Sequence, residues 1–219
     1  MIHHDFEQGT PEWFAARKGA ITGSRFRDCR DKLKNGNPTA KCTGYAMDTA
    51  RERVGGTVPP VFQNAAMRTG CEQEPLARMA YEAHTGNLVQ EVGFFTTDDA
   101  MFGLSPDGLI GDDGVLEVKT LVSSDTLFTV LADGDISAYT DQCNGYLWLL
   151  GRQWVDLVLW VPDLAELGLQ MTVRRITRDE EAIAGLEDDL MKFAQTVRSF
   201  ESKLRRLVFA NVNASKEAA

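Results

Sequence analysis

The sharpest local feature of the chain lies between Ser105 and Lys119. It reads Ser105-Pro106-Asp107-Gly108, Leu109-Ile110, Gly111-Asp112-Asp113-Gly114, then Val115-Leu116-Glu117-Val118-Lys119. Two aspartates bracketed by glycines between apolar runs signal a β-hairpin. Side chains alternate across a strand, so Glu117 and Lys119 share one face and Val118 takes the other. Closing the hairpin brings Asp107 back alongside Glu117. Two carboxylates and an amine then converge at the end of a sheet. Glu117 stands between Leu116 and Val118 in an apolar strand, where a charge needs a partner or a metal. Paired carboxylates suit Mg²⁺, which takes one or two of them and keeps several waters. A lysine beside them can orient or deprotonate an attacking water and stabilise charge on a phosphate, the chemistry that divalent metals assist. Alone, the pattern is weakly specific: Glu-x-Lys pairs are frequent on surface strands and Pro-Asp-Gly is a common turn.

The rest of the chain sets the architecture. Thr10 and Pro11 open a short helix through Trp13, Phe14 and Ala16, which Gly19 stops. Thr22 caps a second helix over Phe26, Cys29 and Leu33. Lys34–Pro38 reads as a loop and 41–54 as a third helix, with breaks at Gly55-Gly56 and Pro59-Pro60. Residues 62–85 read as one long helix, with Gly70 and Pro75 as points of interruption and Gly86 as its end. Strands are expected over Leu88–Thr96, Met101–Leu104, the 107–120 hairpin, Gln153–Val161 and Leu169–Ile176. Helical segments fall at 123–131 and 137–150, and a long helix, capped by Thr177 or Asp179, runs from Asp179 to about Leu207. That order predicts an α/β (α+β) domain with a central mixed β-sheet flanked by helices. It predicts one domain over 1–209 and a frayed tail over 210–219.

Composition excludes several classes. Of the 219 residues, 43% are hydrophobic and 25% charged, an ordinary globular balance. The longest apolar runs, Tyr146–Leu150 and Leu157–Val161, fall far short of the roughly 20 residues of a membrane helix. The first residues show no secretory pattern, so a cytoplasmic protein is expected. Cys29, Cys42, Cys71 and Cys143 form no close pair and read as reduced thiols rather than a zinc site or a disulfide frame. The histidines, His3, His4 and His84, read as a terminal pair and a helix-end residue, which disfavours a histidine-base nuclease or a zinc hydrolase. The net charge is −9, yet residues 17–53 hold ten cations and four anions. A basic segment at +6 on a body at −15 is compatible with a phosphate-binding face, or with a solvated helix face.

Four ordered blocks resemble the PD-(D/E)-x-K nuclease superfamily, and within it the lambda-type 5′→3′ exonucleases, the YqaJ-like viral recombinases. The first runs from Glu7-Gln8-Gly9 through Trp13, Arg17, Gly19, Ile21-Thr22 and Ser24. The second is Gly70-x-x-x-Glu74. The third is Ser105-Pro106-Asp107-Gly108 with Leu116-Glu117-Val118-Lys119. The fourth is Gln142-x-Asn144 with Tyr146 and Trp148. The resemblance covers residues 7–200 and implies a restriction-endonuclease-like core. It implies that Asp107, Glu117 and the Val118 backbone carbonyl hold a metal, with Glu74 supporting or ligating it, and that Lys119 acts on the nucleophilic water. It implies two Mg²⁺ per site, with Mn²⁺ able to substitute. Arg17, Ser24 and Ser105 match a pocket for a 5′-terminal phosphate, and Gln142 and Asn144 match the family's Q-x-Q element. Asn144 departs from it, being one methylene shorter than the usual glutamine.

The function so implied is a processive 5′→3′ exonuclease on linear double-stranded DNA, releasing 5′-mononucleotides and leaving 3′ overhangs for recombination. The implied partners are DNA ends, a single-strand annealing recombinase and two further copies of the chain in a homotrimer, with no membrane. A phage or prophage source and a bacterial cytoplasm follow from the same resemblance. Two alternatives stand beside it. One is a RecB-type or iron–sulfur nuclease or a restriction-like endonuclease of the same superfamily, though the iron–sulfur type needs a late cysteine cluster and this chain has no cysteine after Cys143. The other is a non-catalytic DNA-end-binding module of the same fold, which the retained Asp107, Glu117 and Lys119 argue against.

Overall fold

A computed structural model of the chain describes residues 1–58 and 64–217, with side chains to residue 210. The expected break at Pro59-Pro60 and the first two residues of the expected 62–85 helix lie outside the described residues. The chain begins with β1 (Ile2–His4), α1 (Pro11–Arg17), β2 (Ile21–Thr22), α2 (Phe26–Cys29), α3 (Ala40–Arg53) and α4 (Ala65–Thr85). There follow β3 (Phe94–Thr96), β4 (Phe102–Leu104), β5 (Gly108–Ile110) and β6 (Gly114–Thr120). Then come α5 (Ser124–Leu127), α6 (Ser137–Leu149), β7 (Trp154–Trp160), β8 (Met171–Thr177) and α7 (Glu180–Glu217).

The strands form two four-stranded mixed sheets where the sequence suggested one, in the orders β1-β3-β4-β2 and β5-β6-β7-β8. In the first, β2 runs parallel to β4 and the other pairs are antiparallel. In the second, β6 and β7 are parallel between two antiparallel edges. The chain passes from one sheet to the other through Ser105-Pro106-Asp107, between the end of β4 and the start of β5. Pro106 has no N–H to continue a ladder, so the pairing breaks there. The hairpin register sets Gly108 opposite Leu116 and Ile110 opposite Gly114, as the turn chemistry anticipates.

Side-chain caps open most of the helices. The side chains of Thr10, Thr39 and Asn64 accept from the backbone N–H three residues on, at 3.3, 3.2 and 2.8 Å. Asp179, rather than Thr177, caps α7 by accepting from Glu181 N and Ala182 N. Gly86, in the left-handed region at φ 74°, closes α4. Pro75 lies inside α4 without ending it. The ring removes one backbone hydrogen bond, while Ala77 and Tyr81 hold the helix against Leu116, Val118, Val158 and Trp160. On the other side of the second sheet, α7 sets Ile183, Leu186, Leu190, Phe193 and Val197 into a core shared with Ala46 and Ala50 of α3 and Tyr146 and Leu147 of α6. These positions recur at helical spacing, which is why the last helix was legible.

Four further elements differ from expectation. Ile2–His4 forms β1, where the sequence suggested only a terminal histidine pair; His3 stacks on Phe95 and His4 Nε2 meets Thr96 Oγ1 at 3.0 Å. The helix expected from Thr22 to Leu33 is a 3₁₀ turn at Gly23–Arg25 and then the single turn of α2. Thr39 N donates to Asp31 O and a bridge joins Lys32 to Pro38, so the chain turns back there and Leu33 stays exposed. The helix expected at 123–131 is α5 followed by a π-type turn over Phe128–Ala132. The helical backbone of α7 runs on to Glu217, through most of the stretch expected as a tail.

The strand expected over Leu88–Thr96 survives as a bridge from Gln90 to Leu109 and as β3. Gly93 lies between them because β1 crosses it closely. A Cβ there would stand 2.2 Å from the His4 carbonyl oxygen and 2.7 Å from backbone atoms of Phe6. Backbone cannot yield as a side chain does. Gly93→Ala therefore lowers the unfolding free energy by about 1–3 kcal/mol through overpacking, read from the urea midpoint at unchanged slope.

Candidate active site

Strand β6 divides its side chains between two layers. Leu116 and Val118 pack under α4, while Glu117 and Lys119 face α6. Glu117 is 2% exposed. Its charge is met in full: Lys119 Nζ lies 2.5 Å from Oε1, Gln142 Nε2 donates to Oε1 at 2.7 Å, and Tyr146 OH donates to Oε2 at 2.5 Å. Gln142 and Tyr146 are four apart on α6 and so share one helix face. Gln142 Nε2 also reaches Tyr146 OH at 2.7 Å.

Asp107 arrives from the seam between the sheets. Its Oδ2 accepts from Val118 N at 2.7 Å, which fixes the aspartate across the end of β5. A residue's N–H and C=O leave a strand on the same side, so the Val118 carbonyl faces Asp107 as well. Glu74 comes from α4. Arg78, one turn on, lies 3.4 Å from Glu74 Oε1, donates to the Asp107 carbonyl at 3.1 Å and pairs with Glu91 at 2.9 Å. Arg78 thus ties the Glu74 turn of α4 to the seam.

The electrostatics follow from this crowding. Burial, then the charges of Glu117 and Glu74, push the Asp107 carboxyl well above the ordinary aspartate range, against the pull of Lys119 and the Val118 N–H. Burial also raises Glu74; Arg78 opposes the shift and Glu117 adds to it. For Lys119, burial disfavours the charge, but Glu117 and Asp107 outweigh it and hold the ammonium above the usual lysine range. Burial and then Glu117 raise the Tyr146 hydroxyl, which stays a donor.

A second group lies beside the first. The Arg17 guanidinium sits 4.1 Å above the Trp13 ring centroid and 5.4 Å from that of Phe94. Trp13 Nε1 donates to Ser105 Oγ at 3.1 Å, and Ser105 Oγ donates to Gly93 O at 3.3 Å. The half-buried Arg17 guanidinium makes no ion pair or hydrogen bond among the described residues, and burial lowers its pKa from the usual arginine value. Ser24 is exposed on the 3₁₀ turn, whose Gly23 packs against Leu104 and lies near Gln142.

The structure therefore brings Asp107, Glu117, Lys119, Glu74 and Gln142 together, with Arg17 and Ser105 alongside. It does not bring in Asn144, which is buried on α6 and whose side chain makes no hydrogen bond among the described residues. Two positions beyond Gln142, it points away from that residue's face. Tyr146 and Arg78 were missed as site residues. Their signal was the four-residue spacing from Gln142 and from Glu74. The basic segment is also less free than its composition implied. Arg25 and Lys41 pair with Asp28, Arg30 with Asp141 and Asp189, Lys32 with Asp189, and Arg53 with Glu201. Half of its ten cations thus neutralise the chain's own acids.

The donor set around Asp107 suits a hard cation in chemistry: carboxylate oxygens, a strand-end carbonyl, and acids whose mutual repulsion a cation would relieve. The positions alone do not define such a centre. Among the described residues, no three of His, Cys, Asp and Glu stand together as a metal-holding group.

The family model of the YqaJ-like viral recombinase domain matches residues 12–153. The chain belongs to that family. An alkaline exonuclease from Laribacter hongkongensis, LHK-Exo, is 34% identical with a TM-score of 0.80, over 92% of this chain and 99% of that one. The same enzyme in complex with dAMP gives 34% and 0.81, with the same coverage. A phage-related exonuclease from Haemophilus somnus 129PT shares the fold at 15% identity, with a TM-score of 0.67 over 86% of this chain and 96% of that one. No curated protein matches. Family membership supports a nuclease function, and the hairpin with Asp107, Glu117 and Lys119 fits a PD-(D/E)-x-K core. No helix among the described residues is long and apolar enough to cross a membrane.

The raised Asp107 carboxyl has a consequence for stability. An acid that binds its proton more tightly when folded costs stability as pH rises above the unfolded value of about 3.9. In EDTA, Asp107→Asn is therefore more resistant to urea than the wild type near pH 8. The gap closes as pH falls below about 4, where both states of the wild type become protonated. Equal midpoints at both pH values would show that the Asp107 charge is not strained.

Proposed function

We propose that this protein is a Mg²⁺-dependent exonuclease that degrades linear double-stranded DNA processively from its 5′ ends. It releases 5′-mononucleotides and leaves 3′ overhangs that a single-strand annealing recombinase uses. It works in the cytoplasm of a bacterial host, as a homotrimer, with two Mg²⁺ per site that Mn²⁺ can replace. One juxtaposition carries the reading: the buried Asp107–Glu117–Lys119 cluster lies beside an unpaired, half-buried guanidinium. The name of the 34% identical relative, an alkaline exonuclease, supports it.

Each residue has a task. Asp107, Glu117 and the Val118 carbonyl would hold the cation, with Glu74 as a further carboxylate. A divalent cation bound there would polarise the phosphoryl oxygen and acidify water. Gln142 and Tyr146 fix the Glu117 carboxylate by donating to its two oxygens. Lys119, beside the Glu117 carboxylate on the same face of β6, would orient the attacking water and take its proton. Arg17 presents a planar fork of N–H donors that matches a terminal phosphate. Ser105, with its hydroxyl beside Trp13, and the exposed Ser24 would add hydroxyl donors to that phosphate. A phosphate held there places the first phosphodiester near Lys119 and directs cleavage to ends.

End-labelled linear duplex and a closed circle, each with Mg²⁺ and with EDTA, test this reading. Loss of label from 5′ ends only, with Mg²⁺ only and the circle intact, is expected. Cutting of the circle would make the protein an endonuclease, and binding without cleavage would make it an end-binding module. Lys119→Ala abolishes turnover, by at least 10²-fold, and leaves DNA binding largely intact. Arg17→Ala reduces the preference for 5′-phosphorylated over 5′-hydroxyl ends. An unchanged ratio would remove Arg17 from the phosphate pocket.

A further inference from the structure

Helix α1 buries none of its residues, yet two of its seven are large aromatics. Trp13 is accounted for: its indole N–H holds Ser105 and its ring lies under Arg17. Phe14 is not. It belongs to none of the three buried clusters and is 56% exposed. Among the described residues its one ring contact is with Trp13, edge-on at 4.9 Å between centroids and 78° between planes. Such a contact orients the ring but leaves more than half of the residue to water.

Its position gives the ring a use. Phe14 and Arg17 are three apart on α1, so their side chains are neighbours on one face, with Cβ atoms roughly 5–6 Å apart. A cation without a carboxylate partner thus stands next to an oriented, open phenyl ring. Phosphate and base stand in a similar relation within one nucleotide. The phosphate seeks the guanidinium, and every base presents a flat π-face to an aromatic side chain regardless of sequence. Trp13 cannot serve in this way, because Arg17 already covers its ring.

We propose that Phe14 is a stacking platform for the first base behind the 5′-phosphate, so that α1 holds a whole terminal nucleotide and not a phosphate alone. The inference rests on the reading of Arg17 as the phosphate ligand. Stacking of this kind tolerates any base, as degradation of arbitrary DNA requires. It also holds the terminal base once it has left its partner.

Equilibrium binding in EDTA tests it, with 5′-phosphorylated duplexes whose terminal nucleotide is intact or abasic. Phe14→Ala is expected to weaken binding to the intact end by about 5- to 150-fold, and Phe14→Trp to restore it. Removing the terminal base should cost the wild type a similar factor and Phe14→Ala almost nothing. Equal weakening of both ends by Phe14→Ala, or of neither, would overturn the proposal. So would a change in sedimenting mass of Phe14→Ala without dependence on the base, which would assign the ring to contact between copies. The same series on 5′-hydroxyl ends separates the two claims. If Arg17→Ala abolishes the phosphate preference while no coupling to the base is seen, the Phe14 inference alone fails. If Arg17→Ala leaves the preference unchanged, the phosphate pocket itself fails, and the Phe14 inference with it.

Discussion

A carboxylate buried in the middle of a β-sheet layer is the constraint around which this fold is arranged. Glu117 lies among apolar neighbours, where an unpaired charge costs several kcal/mol. The chain answers with three donors from two elements: Lys119 from the same strand, and Gln142 and Tyr146 from α6. That answer fixes where α6 lies against β6 and which of its faces turns inward. The buried acid therefore links architecture to chemistry. The groups that make Glu117 tolerable are the groups that point it at its proposed work.

The second determinant is the seam between the sheets. Ser105-Pro106-Asp107 leaves one sheet and enters the other, so its side chains face neither regular layer. Asp107 bonds to Val118 N, Ser105 to Trp13, and the Asp107 carbonyl to Arg78. Helices α1 and α4 are thus tied to the same few residues from opposite directions. A separate network pins the far end of α4. Asp156, 2% exposed, accepts two bonds from Arg175 at 2.7 Å and one from Tyr81 at 2.6 Å. Tyr81 lies two turns beyond Glu74, so this buried pair helps set the position of the Glu74 turn.

Much of this was legible because local rules governed it. The Gly111–Gly114 turn fixed the hairpin, strand alternation placed Glu117 and Lys119 on one face, and Thr10, Asn64, Gly86 and Asp179 marked helix ends. What escaped was decided by tertiary partners. Ile2–His4 becomes a strand because β3 offers an edge, and Gly93 lets it approach. Two sheets replace one because of a proline in the connection rather than any hydrophobic pattern. Pro75 stays helical because Ala77 and Tyr81 bury themselves on the sheet. The cations of residues 17–53 look free in sequence, but their carboxylate partners, such as Asp141, Asp189 and Glu201, lie roughly 110–160 residues away. Tyr146 and Arg78 became visible as site residues only once Glu117 and Asp107 had positions.

Asp107 is buried against the charges of Glu117 and Glu74, and the proposed function makes Asp107 and Glu117 ligands of one divalent cation. Thermal unfolding of metal-free protein under increasing Mg²⁺ measures this without DNA or turnover, since a ligand that binds only the folded state raises the melting temperature saturably. The account predicts such a rise for the wild type, with Mn²⁺ acting likewise, and its loss in Glu117→Gln and in Asp107→Asn. No rise in the wild type, or the same rise in both variants, would contradict it.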